Sequence, residues 1–163
     1  MEENIRASVT RRVLELLESR FFQLPPGLPA VAGEPLPVKA RGGAIHSWMV
    51  PFVAGTKLIA WAQLSPSLAP LRFSVLGGGR TDMAPDAADW LDTGLISAKI
   101  AAVAGADATL SAPVLTYDRD PSRLVWMVES RSPGGALRRW FTTGGDVWED
   151  GGHQEVTGGP PRS

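Results

Sequence analysis

The sequence predicts an α+β protein of two halves, each a helix followed by an antiparallel sheet, in a pseudo-duplicated arrangement. Three observations carry this. An apolar stripe at helical spacing opens the chain, β-type runs bounded by turn residues follow it, and the tripeptide Trp-Met-Val occurs at Trp48 and again at Trp126. The halves expected are 1–80 and 90–150, with a Gly/Pro-rich tail over 151–163.

Ile5, Val9, Val13, Leu16, Leu17 and Phe21 recur at spacings of three and four, with Arg6, Arg11, Arg12, Glu15 and Glu18 largely off the stripe, which predicts a helix over 4–22. The prolines and glycines of "LPPGLPAVAGEPLP" exclude helix, so a long ordered connector follows. "AIHSWMVPFV" is β-like, with Pro51 favouring an edge or a bulge. "AGTK" reads as a hairpin turn into "TKLIAWAQL", which sets Leu58, Ala60, Ala62 and Leu64 against Lys57, Ile59, Trp61 and Gln63. "LRFSVL" alternates Leu71, Phe73 and Val75 with Arg72 and Ser74. Residues 77–90 read as a turn-rich connector.

The second helix begins at Asp92 or Thr93, either of which can cap it, carries Leu95, Ile96, Ile100 and Val103 on its apolar side, and stops at Gly105. Strands are expected in "ATLSAPVLTYD", "RLVWMVES", "ALRRWFTTG" and "DVWED", with turns at 132–135 and 143–146. Leu124, Trp126 and Val128 share one face. Trp61 follows Trp48 by 13 positions and Trp140 follows Trp126 by 14, so a hairpin differing by one residue would align them as counterparts. One helix covers one face of such a sheet, and a half of this size buries a marginal core, so paired halves are physically sensible.

Net charge is −1, without the basic footprint that nucleic-acid binding needs. The chain has no cysteine, which removes disulfides, thiolate metal sites and cysteine nucleophiles. It shows neither a signal-peptide core nor an apolar run long enough for a membrane span, giving the cytoplasm as the default location.

The stretch from Leu95 to Asp150, with "LISAKIAAVAG", "PVLTYD", "RLVWMVES" and "ALRRWFTTGGDVWED", resembles a PepSY domain. Leu124 to Glu129 resemble its central strand, and Thr142 to Val147 loosely resemble its final turn. The first half is similar to a more divergent copy. The resemblance implies a cystatin-like fold without catalytic residues and a role in inhibiting or chaperoning a peptidase. The chain departs from many relatives in lacking an export signal and a protease domain.

Chemistry-bearing patterns are sparse. His46 would need a partner carboxylate and a pocket to act as a base, and His153 lies in the tail. Asp82, Asp86, Asp89 and Asp92 crowd one connector, but their spacing fits no calcium loop and suits turns and caps. Asp118-Arg119-Asp120-Pro121 reads as a β-turn. "LGGGR" lacks the Lys-Ser/Thr of a phosphate loop and reads as a strand terminator. No serine lies in a nucleophile elbow. No metal site and no cofactor are expected.

The expected function is therefore non-catalytic binding of a protein or peptide, as a regulator of a peptidase or another enzyme. The candidate surface is formed by Trp48, Trp61, Trp126 and Trp140 with Arg138 and Arg139, since Trp and Arg dominate interface energetics. The alternative is a cone-shaped, NTF2-like small-molecule or enzymatic domain using His46 and a connector carboxylate. An exposed edge strand could also pair two copies as a homodimer.

Overall fold

Val9, Val13 and Leu16 are buried along one side of α1 (Glu2–Glu18), the first element of the computed structural model, which describes residues 2–150. The helix ends four residues earlier than its stripe suggests. Arg20 adopts φ 65°, the Phe22 amide donates to the Leu16 carbonyl, and Phe22 swings into the core while Phe21 stays outside. This is a left-handed C-terminal turn made without glycine, so no breaker marks it in the sequence.

The chain divides into two compact units, Met1–Trp90 and Leu91–Ser163. In the first, β1 (Val31–Ala32), β2 (Leu36–Lys39), β3 (Ile45–Ala54), β4 (Lys57–Leu64) and β5 (Pro70–Val75) form an antiparallel sheet. β1 and β2 pair with successive stretches of β3, so together they make one kinked edge, and β5 is the other edge. Trp48, Val50 and Phe52 of β3 join Ala60, Ala62 and Leu64 of β4 and the buried side of α1 in one core. The expected alternation along β4 holds from Ala60 to Leu64. A bulge falls between the pairs Phe52–Ala60 and Val53–Leu58, leaving Ile59 as the extra residue, and Ile59 also enters this core.

The segment 77–90 is more than a connector. Two single 3₁₀ turns (Gly77–Gly79 and Thr81–Met83) lead into the five-residue helix α2 (Ala87–Leu91). The Leu58 amide donates to Pro85, the Ala87 amide donates to Thr56, and Lys57 pairs with Asp86 at 2.9 Å. These bonds bring Trp90 onto Trp61, ring centroids 5.1 Å apart, on the sheet face away from the α1 core. The boundary between the units falls after Trp90, so the segment between the expected halves 1–80 and 90–150 belongs to the first unit.

The second unit follows the same order. Helix α3 (Thr93–Ala104) is capped by Asp92, whose carboxylate accepts from the Leu95 amide at 3.1 Å, and it ends at Gly105. Its buried side is Ile96 and Ile100; Val103 stays exposed. β6 (Thr109–Leu110) and β7 (Val114–Tyr117) form a kinked edge against β8 (Leu124–Arg131), which continues through β9 (Leu137–Thr142) to β10 (Val147–Glu149). α3 packs on β8, β9 and β10. The tail expected over 151–163 lies outside the described residues.

The strand registers of the two units match at a constant shift of 78 positions. Pro37 faces Trp48 as Leu115 faces Trp126, and Ala32 faces Phe52 as Leu110 faces Ser130. The kinks match too: the Gly33 amide donates to Pro51, the Ser111 amide donates to Glu129, and Pro35 and Pro113 follow two residues later. Across the central hairpins, Trp48 faces Leu64 as Trp126 faces Thr142. The hairpins are thus equal in overall length, because the two-residue turn of the first is offset by the bulge at Ile59.

This corrects the alignment of the later tryptophans. Pro51 faces Trp61, but the matching pair is Glu129 with Arg139; Val50 faces Ala62, and the matching pair is Val128 with Trp140. Trp61 therefore lies on the face away from the α1 core, whereas Trp140 shares a face with Trp126 and Val128. The two are not counterparts.

Candidate functional site

Strand alternation and burial decide which side chains can meet a ligand. Trp48, Trp61, Trp126 and Trp140 are between 2 and 6 % exposed. The expected open aromatic surface is not what these indoles form, and the reason differs for each. Trp48 belongs to the α1 core and has the Arg6 guanidinium 5.5 Å from its ring centre. Trp61 lies beneath Trp90. Trp126 is on the buried side of β8. Trp140 donates from Nε1 to Ser130 Oγ at 2.9 Å and is covered by Arg138, whose Cζ stands 4.5 Å from its ring centre.

Arg138 and Arg139, adjacent on β9, point to opposite sheet faces. Arg138 makes a two-pronged bond to Glu149, at 3.0 and 2.7 Å. That hydrogen bond holds the Glu149 carboxyl below the ordinary glutamate range and raises the arginine further. Arg139 bonds Glu129 at 3.1 Å and pairs with Asp150 at 3.5 Å. Both arginines are thus committed to cross-strand ion pairs within their own sheet.

His46 is half-buried, with Nδ1 3.1 Å from Ser47 Oγ, to which Gln63 Nε2 donates at 3.2 Å. Gln63 Oε1 and Trp61 Nε1 are buried with no partner among the described residues. The connector carboxylates serve local structure: Asp82 bonds Arg80, Asp86 pairs with Lys57, and Asp92 caps α3. Asp120 accepts from the amide and hydroxyl of Ser122 in the turn joining β7 to β8, as its sequence suggests. Gly77, the first glycine of "LGGGR", has φ 66° and closes the turn after β5.

The feature that strand composition does not reveal is the free edge at β5. No other strand pairs with its outer side among the described residues. The Leu76 amide donates inward to Ile59, so by the two-residue alternation of an antiparallel ladder the amides of Arg72 and Ser74 also turn to β4. Those of Phe73 and Val75 turn outward. The side chains along this edge are apolar on the α1 side. Val75 is 41 % exposed and Phe73 stacks on Phe22 at 5.0 Å; Leu71, the extra residue of a bulge, is 45 % exposed beside them. Phe21, 66 % exposed, meets Phe22 edge to face at 5.7 Å. Phe73 also approaches Phe52 at 5.9 Å, so an aromatic ladder runs from the solvent at Phe21 to the core at Phe52.

The other edges are poorer templates. β1–β2 and β6–β7 are each interrupted at a proline, and β10 has three residues against six in β5. A bulge at Leu71, between the pairs Gln63–Arg72 and Leu64–Pro70, leaves Arg72 to Leu76 as the regular stretch.

No helix among the described residues is long and apolar enough to cross a membrane. Comparison with protein families, with curated proteins and with solved structures finds no match for this chain.

Proposed function

We propose that the chain is a non-catalytic module that binds polypeptide by adding a strand to β5. The observation that carries this is the outward-facing backbone of Phe73 and Val75, bordered by exposed Leu71, Val75 and Phe21. An incoming extended segment gains main-chain hydrogen bonds from the edge and apolar contact from its rim. The order of helix and antiparallel strands in both units supports reading them as copies of one PepSY-like module. A regulator of a peptidase or another enzyme would meet its target through the same edge.

The test is an NMR titration of the labelled chain with synthetic ten-residue peptides alternating Val or Leu with Ser or Thr. Saturable shifts centred on the amides of Phe73 and Val75 are expected, abolished in Leu71→Lys/Val75→Lys. Shifts elsewhere, or none with any peptide from a chain that is monomeric under the same conditions, would sink the reading.

A further inference from the structure

The β5 edge reads the same when turned against itself. A two-fold axis through Ser74 of two antiparallel copies sets Phe73 opposite Val75 of the second copy, twice, as hydrogen-bonded pairs. These are the residues whose amides already turn outward. Ser74 then faces Ser74 across the axis, and Arg72 faces Leu76. The register uses only the regular stretch beyond the bulge at Leu71. It joins an aromatic to a β-branched side chain on the α1 side, a favourable cross-strand combination, and sets no like charges directly opposite. Val75 and the ladder of Phe21, Phe22 and Phe73 lie on that same side in each copy, so the apolar side chains of one edge border those of the other. A net charge of −1 gives two copies little mutual repulsion.

We infer that the polypeptide accepted by β5 is a second copy of this chain, joined edge to edge about Ser74 into one continuous antiparallel sheet. The inference rests on β5 being a strand-accepting edge and names its occupant.

The absence of cysteine allows a register test without background. Residues facing each other in a non-hydrogen-bonded pair have Cα atoms about 4.5 Å apart, within disulfide reach. Under mild oxidation Ser74→Cys should form a disulfide-linked dimer at protein concentrations where Arg72→Cys, which faces Leu76, does not. Sedimentation of the unmodified chain should show mass rising with concentration from 17.4 kDa toward twice that value, and Leu71→Lys/Val75→Lys, with an unchanged circular dichroism spectrum, should remain monomeric. A chain that stays monomeric at all concentrations overturns the inference. So does a dimer that survives the double lysine variant, or one in which Ser74→Cys fails to crosslink. A monomeric chain whose Phe73 and Val75 amides still shift with the peptides above would overturn the self-pairing alone and leave strand addition standing.

Discussion

Trp90 meets Trp61 edge to face at 5.1 Å, and so a segment of turns and one short helix becomes a cover for the sheet face away from α1. Large-to-small changes at such a position remove transfer free energy and leave a cavity. Trp90→Ala should cost about 3–5 kcal/mol in urea unfolding followed by circular dichroism. Trp90→Phe, which keeps an aromatic edge over Trp61, should cost clearly less.

Gly77 and Gly78 separate two causes of strain. Both have positive φ, 66° and 62°, but a Cβ on Gly77 would lie 2.6 Å from the Ala84 amide nitrogen, whereas one on Gly78 meets nothing within 4 Å. Gly78→Ala should therefore cost about 1–2 kcal/mol, the left-handed penalty alone. Gly77→Ala must also displace backbone, and a loss on the order of 3 kcal/mol is expected in the same measurement.

The buried pair Ser47–Gln63 lends itself to a double-mutant cycle. Ser47→Ala strips Gln63 Nε2 of its acceptor while Gln63 Oε1 has no partner among the described residues, so about 1–3 kcal/mol should be lost. Adding Gln63→Leu removes both orphaned atoms, and the double variant should be more stable than Ser47→Ala alone. A double variant less stable than that single one would show that the amide has a further partner.

Glu149 offers a pH signature. Its folded-state value is lowered, chiefly by the Arg138 hydrogen bond, so the stabilisation it brings is present above the ordinary glutamate range. That stabilisation fades as pH falls through the lowered value. A side-chain NMR titration of Glu149 should give a midpoint below the ordinary glutamate value, moving up toward that value in Arg138→Gln. Both groups are exposed, so salt should weaken the effect.

Much of this architecture could be read from the chain itself. Asp92 and Gly105 bracket α3 as cap chemistry requires, and the turn at Asp118–Pro121 follows from its own side chains. The end of α1 was hidden because Arg20, not glycine, takes the left-handed position. The kinked edges had a legible sign, Pro35 and Pro113 at the same spacing as the two Trp-Met-Val copies, which the tryptophans overshadowed. Trp61 and Trp140 misled because a bulge changes which face a residue takes without changing the count between landmarks. The β5 site was illegible for a different reason. Its residues alternate like those of any half-buried strand, and only the order of strands in the sheet leaves one side of it unpaired.

The kinks at Gly33–Pro35 and Ser111–Pro113 also bear on stoichiometry. A sheet that recruits strands at two good edges can grow into a filament, whereas one open edge is used up by a single pairing event. With one edge broken in each sheet and β10 shorter than β5, the pairing inferred above would use up the one long regular edge among the described residues and so would stop at two copies.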